Sequence, residues 1–268
     1  MDKITLHSRD NINNWLEDYR VITDCKGVVL GLSGGKDSTV VAMLAKKQWG
    51  DDVFAIIMPN GNQADIDDAI EIAETLNIDY IIVNIETVFN NLLFNIETVV
   101  RKSDITGEKD WFENCPKISD KAKTNIPPRL RMTILYAVAQ TLGYRVIGTG
   151  NASERYIGWF TKYGDGGCDL NPIAHLTCSE VVELGTYLAQ EFNLSDIFIK
   201  KVPADGLTGK SDEDNFGFTY KQLDAFIREG DSGDETLNKK MKKMHNMSEH
   251  KLRVPVTYTD TWFLNRRD

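Results

Sequence analysis

The chain has 268 residues, 41% of them apolar, with 11 Phe, 9 Tyr and 5 Trp, enough for a packed core and against wholesale disorder. Its 40 acidic and 31 basic residues leave a formal charge of −9, so a polyanion such as DNA or tRNA is repelled overall and nucleic acid is not an expected partner. No apolar run reaches the length of a membrane span, and the start, MDKITLHSRDN, lacks the layout of a signal peptide, so the expected location is cytoplasmic.

In chain order, Ile12, Trp15, Leu16, Tyr19 and Ile22 recur at a helical period and predict a helix over 8–23. The apolar run at 27–32 reads as a buried strand, 37–49 as a helix and 53–58 as a second strand. DIDDAIEIAETL (65–76) reads as an amphipathic helix whose acidic first turn suits the helix dipole. A third strand is expected at 80–83 and a helix over 86–100, before polar residues from 102 to 123 break the pattern. Pro127 and Pro128 fit the start of a helix that ends at Gly143, and 145–147 follows as a fourth strand. This alternation predicts an α/β fold, a doubly wound parallel sheet with helices on both faces.

Beyond it, 148–176 reads as loop, 179–192 as helix, GLTGKSDEDNFG (206–217) as a mobile loop, and 220–227 and 236–247 as helices. No internal repeat, linker or low-complexity tract is visible. One domain over 1–268, with a core at about 15–255 and a tail at 256–268, is the simplest organisation. Cys25, Cys115, Cys168 and Cys178 have no C-x-x-C spacing and read as free thiols, and the histidines form no metal-helix motif.

Between the first strand and its helix stands GLSGGKDST, residues 31–39. The order of residues fits neither G-x-x-x-x-G-K-[ST] nor G-x-G-x-x-G. What remains is S-G-G-x-D-S. Gly34 and Gly35 let main chain approach a ligand, and the amides that follow open a helix, where an anion is favoured. Ser33 and Ser38 add hydroxyl donors. A bare carboxylate at Asp37 would repel a phosphate, so its presence requires a cation between them, most simply Mg²⁺. The plain alternative is a tight turn with Asp37 or Ser38 as helix cap.

A second carboxylate, Glu154, follows the fourth strand in GTGNASE. With strand order 3-2-1-4, strands one and four are neighbours at a switch point, and ligands bind beyond the carboxyl ends there. Asp37 and Glu154 then converge and share one Mg²⁺; the alternative for Glu154 is a solvated loop acid or a helix-start acid.

The loop resembles that of the N-type ATP pyrophosphatases, which cleave ATP between the α- and β-phosphates. From about residue 15 to 255 the chain resembles ammonia-dependent NAD synthetases, through MPNGNQADIDDA (58–69), NIPPRLRM (125–132), GTGNASE (148–154), GWFTKYGDGGCDLNPI (158–173), PADGL (203–207), GFTYKQLD (217–224) and His250-Lys251. The resemblance implies amidation of deamido-NAD by ammonia with ATP, through an adenylated carboxylate, with release of AMP and pyrophosphate, in a homodimer. It implies ATP contacts from Gly31, Leu32, Ser33, Gly34, Gly35, Lys36, Asp37, Ser38 and Thr149. It places Arg129, Lys162, Asp169, His250 and Lys251 at deamido-NAD, with Arg131 a weaker candidate. Asp165, in YGDGG, is implied as the acceptor of the ammonium proton, with 206–217 as a lid.

Each has a plainer reading: a turn aspartate for Asp165, surface charge for Arg129 and Lys162, and a solvated helix face around Met241, Met244 and Met247 for the basic stretch before His250. The chain departs from many relatives at Ile57 (often arginine), at Asn60 (often aromatic) and at Cys178, in a block where a lysine is common; these departures bear on the adenosine side. Two alternatives stay open, another adenylating enzyme with the same loop (a tRNA-modifying or guanine-nucleotide amidotransferase) and a non-catalytic nucleotide-binding module. A glutamine-using enzyme would need a further amidase domain.

Overall fold

A computed structural model describes residues 3–63, 65–101, 118–201, 211–255 and 257. Four short runs rich in Val and Ile form one parallel sheet: β1 (Val28–Gly31), β2 (Val53–Ile57), β3 (Asp79–Ile82) and β4 (Arg145–Val146). The order is β3-β2-β1-β4, as the alternating pattern requires, and Val28 lies level with both Val53 and Arg145.

Alternation along β1 separates two cores. Val28 and Leu30 face α1 (Lys3–Ile22), α2 (Lys36–Trp49), α3 (Ile66–Thr75) and α8 (Cys178–Glu191), whose Leu16, Val41, Ile72 and Leu184 join them in one apolar cluster. Val29 faces the other way, with Ile56, Val146 and Ala139 of α6 (Ile126–Leu142). Helices therefore lie on both faces. The sequence also places α4 (Glu86–Arg101), α11 (Tyr220–Glu229) and α12 (Glu235–Ser248) to within about two residues. Gly143, in left-handed conformation with φ 71°, ends α6 as expected.

Four short helices escape the periodic reading, α5 (Asp120–Thr124) among them. The 148–176 stretch contains α7 (Ala152–Ile157), α9 (Ile197–Lys200) follows α8, and the supposed mobile loop contains α10 (Asp212–Phe216). One or two turns are too short to display an apolar period. End chemistry specifies α7 and α10 instead: Asn151 with Glu154, and Ser211 with Asp214, form reciprocal capping boxes. Phe216 is 2% exposed and packs with Phe218, Tyr220, Leu223 and Met241 in a third cluster. The carboxyl half of the proposed lid is thus an anchored helix, and residues 202–210 lie outside the described residues. A small helix α5 (Asp120–Thr124) precedes α6, and a 3₁₀ turn, Glu249–Lys251, follows α12.

The contact of α8 with α2 is close. A Cβ on Gly185 would lie 2.6 Å from Val40 Cγ2 and 2.9 Å from Ile199 Cγ2. Gly→Ala normally favours a helix by about 1 kcal/mol. Here the sign is expected to reverse, with Gly185→Ala losing about 1–3 kcal/mol in urea unfolding because the overpacked helix must shift.

Candidate active site

The glycine loop leaves the carboxyl end of β1 at Gly31. Leu32 is buried and donates its N–H to Ile56 O at 3.1 Å. Gly34 has φ +80°, and a Cβ there would meet Asp65 O at 2.8 Å, so a side chain is excluded. Gly35 is the N-cap of α2, and no side chain caps that helix. Neither Asp37 nor Ser38 is the cap of that helix, so the first-turn amides remain suited to an anion. Ser33 and Ser38 brace the loop: their Oγ atoms lie 3.1 Å apart, Gly35 N–H donates to Ser33 Oγ at 3.3 Å, and Ser38 Oγ donates to Gly35 O at 2.9 Å.

The two acids meet through one residue. Asn151 is fully buried. Its Nδ2 donates to Asp37 Oδ1 at 3.0 Å, while its N–H donates to Glu154 Oε2 at 3.2 Å. Its Oδ1 accepts from Glu154 N–H at 3.0 Å, completing the cap of α7. Glu154 is therefore a helix-start acid and also a neighbour of Asp37. Burial first, then the Asp37 charge, push its carboxyl above the usual range, to about 8, against the pull of Lys36. Lys36 is 5% exposed, and its Nζ lies 2.6 Å from Asp37 Oδ2. Burial works against that ammonium, but Asp37 and Glu154 outweigh it and hold it protonated.

Beside this pair runs the turn segment FTKYGDGG (160–167). Its turns are tight: a Cβ on Gly166 would meet the Phe160 ring at 2.5 Å, and one on Gly164 would meet Thr161 Cβ at 2.9 Å. Asp165 is open to solvent yet hemmed in by protein, and the resulting desolvation raises its carboxyl. Its Oδ1 accepts from Thr161 N–H at 2.8 Å, and its charge is felt by Glu154, Arg131 and Lys251. Lys251 donates to Gly158 O at 2.8 Å and Phe160 O at 2.7 Å. Burial lowers its pKa, and the nearby cations Lys121 and Arg129 lower it further against Asp165. Several positive groups thus surround one carboxylate, a setting suited to an anionic ligand.

The other sequence candidates divide. Arg129 reaches Lys162 O at 3.4 Å, and Lys162 Nζ donates to His250 O at 2.5 Å, so these three are linked at the FTKYGDGG turn, His250 through its backbone carbonyl. Arg131 reaches further in than its sequence ranking implies: its Nε donates to Met58 O at 2.9 Å, at the carboxyl end of β2. Thr149 follows β4, half-buried. Asp169 is tied to the sheet edge, accepting from Val146 N–H at 2.8 Å and Tyr136 Oη at 3.2 Å. Ile57 is buried within β2. Cys178 is buried at the start of α8, where burial pushes its thiol up to about 12 while the neighbouring Lys36 pulls it down. Cys25, Cys168 and Cys178 are free thiols, and Cys115 lies outside the described residues. Asn151 and Lys121 were missed; the N-x-x-E spacing of a capping box marks the first, while nothing local marks the second.

A parallel sheet with an uncapped glycine loop and two neighbouring acids at its switch point defines an α/β protein of the doubly wound class, in which ligands are bound beyond the carboxyl ends of the strands. The NAD synthase family profile matches residues 9–255, and the chain belongs to that family. It is 40% identical to an NH3-dependent NAD+ synthetase of Carboxydothermus hydrogenoformans, over 92% of this chain and 94% of that one. Among solved structures it is similar to an NMN synthetase of Francisella tularensis (34% identity, TM-score 0.82, 97% and 100% of the two chains). It is also similar to an NH3-dependent NAD synthetase of Campylobacter jejuni (28% identity, TM-score 0.70, 96% and 99%).

The raised Glu154 carboxyl gives a pH signature. A carboxyl with a raised folded pKa stabilises the fold while protonated, and that contribution is lost as pH rises through the folded value. In chelator, the stability of the protein is expected to fall between the usual glutamate range and about pH 8. Glu154→Gln flattens that slope in urea unfolding; an equally steep slope would assign it elsewhere.

Proposed function

We propose that the chain joins ammonia to the nicotinate carboxylate of deamido-NAD, using ATP and releasing AMP and pyrophosphate. One observation carries the reading: Asn151 holds the loop acid Asp37 and the distant acid Glu154 together, and Asp165 lies near enough to act on Glu154. The nicotinate carboxylate attacks the α-phosphorus, and the bond to the departing pyrophosphate breaks. The α2 amides and loop glycines position the triphosphate, so catalysis is mainly placement and charge. Asp37 and Glu154 would hold Mg²⁺; two carboxylates that repel each other, completed by phosphate oxygens and water, are a normal set for that ion. When bound, it neutralises charge on the phosphates.

Ammonia then attacks the adenylated carbon and AMP departs. Ammonium has no free electron pair, so a proton must leave first. Asp165, raised by desolvation, is the acceptor. Arg131, Lys251, Arg129 and Lys162 offset the negative charge of the dinucleotide.

The likeness to the Francisella NMN synthetase favours a second reading, in which the same carboxylate is presented on a mononucleotide and the product is NMN. The chemistry is unchanged. Incubation with ATP, Mg²⁺, ammonium and each acid in turn separates the two by kcat/KM. AMP and pyrophosphate are expected in both; ADP and phosphate would refute the reaction. Asp37→Ala and Glu154→Ala are expected to lose about 100-fold or more, and Asp165→Asn to lower kcat with the KM for ATP little changed.

The protein also pairs with a second copy in this reading. Between 86 and 97 no side chain of α4 is buried, although the helix carries Phe89, Leu92, Leu93 and Ile96. Val88 and Phe94 are 53% and 67% exposed, and Leu142 of the adjoining α6 is 43% exposed. Apolar side chains left in part exposed among the described residues form a contact surface in this reading. Light scattering is expected to give a dimer mass, and Phe94→Asp a monomer; a monomeric wild-type protein would remove the proposal.

A further inference from the structure

We propose that Lys36 is a built-in counter-ion for the Asp37–Glu154 pair, one that a divalent ion must displace from Asp37. The inference rests on the reading of that pair as the metal site. A lysine in a phosphate loop is expected to extend toward the ligand. This one folds back beneath the loop, 5% exposed, with Nζ 2.6 Å from Asp37 Oδ2 and 5.6 Å from the Tyr220 ring centroid.

The ammonium has a built seat. Tyr220 is 5% exposed, and its Oη donates to Asp212 Oδ2 at 2.8 Å. Trp159 Nε1 donates to Asp212 Oδ1 at 3.2 Å, so α10 fixes the ring on which the lysine lies. Asp37 is met on both oxygens, by Asn151 Nδ2 at Oδ1 and by Lys36 Nζ at Oδ2. Without the ammonium, Asp37 Oδ2 would lose its cation, and charge on Asp37 and on Glu154 beside it would be held at each other's expense. Lys36 lets the site keep its shape while empty. An ammonium and a dication on the same carboxylate repel, so the ion enters as the lysine withdraws along the Tyr220 face.

The test is a Mn²⁺ titration followed by electron paramagnetic resonance, with and without the α,β-methylene analogue of ATP. Wild type, Lys36→Met, Lys36→Gln and Asp37→Asn are compared, with thermal unfolding in chelator alongside. Without nucleotide, Lys36→Met and Lys36→Gln are expected to bind Mn²⁺ about tenfold more tightly. In chelator both melt lower than wild type, and Mn²⁺ restores them by more. If neither variant folds in chelator, folding on Mn²⁺ addition supports the counter-ion and failure to fold overturns it. Equal or weaker Mn²⁺ binding by folded variants, while wild type still binds the ion through Asp37, overturns the counter-ion role alone. Uptake in no protein even with the analogue, or undiminished uptake by Asp37→Asn, overturns the metal reading and this inference with it.

Discussion

The site depends on one buried amide. Asn151 has no exposed surface and spends every polar group on the two acids or their helix. Such a side chain is costly to bury unless its partners are all present. Asp37 leaves the loop after β1, and Glu154 the short helix after β4. The parallel sheet brings those two chain ends side by side, and Asn151 converts that nearness into a fixed geometry. A flexible loop acid becomes one member of a pair whose second member is set by a helix cap worth about 0.5–2 kcal/mol.

Around this joint the fold separates two tasks. The β1 end presents main chain: glycines, open amides and hydroxyls used for bracing. The FTKYGDGG turn presents side chains: one desolvated carboxylate among several cations. Beside them Ser153 ties helix starts together, because its Oγ donates to buried Asp224 at 2.5 Å and accepts from Cys178 N–H at 2.9 Å. Asp224 also accepts from Ser179 N–H at 2.8 Å. The starts of α7 and α8 are thereby clamped to α11, and Glu154, one residue from Ser153, inherits that rigidity.

The sequence carried the frame well because the frame is periodic. Val28, Val29 and Leu30 can only be an interior strand, and DIDDAIEIAETL repeats at the helical interval. The strand order was legible too, since short strands joined by helices leave few arrangements. α5, α7, α9 and α10 were not, because helices of four to six residues are set by contacts and caps rather than by period. The loop acid and its distant partner were foreseen. The inward turn of Lys36 was not: the seat made by Tyr220, Asp212 and Trp159 comes from segments far along the chain, and adjacency to Asp37 says nothing of it. The tether of Arg131 was not legible for the same reason, since only the packed helix shows which guanidinium points at Met58 O.

Asp169 has one more effect. Its carboxylate takes the Val146 N–H, and Leu170 runs alongside Ile147 with its carbonyl on Gly148 N–H. The chain has stoppered the outer margin of β4 with its own loop, so that side of the ribbon offers no ladder to a foreign strand. Growth of the sheet from molecule to molecule is barred there by Asp169 and the backbone of Leu170 together.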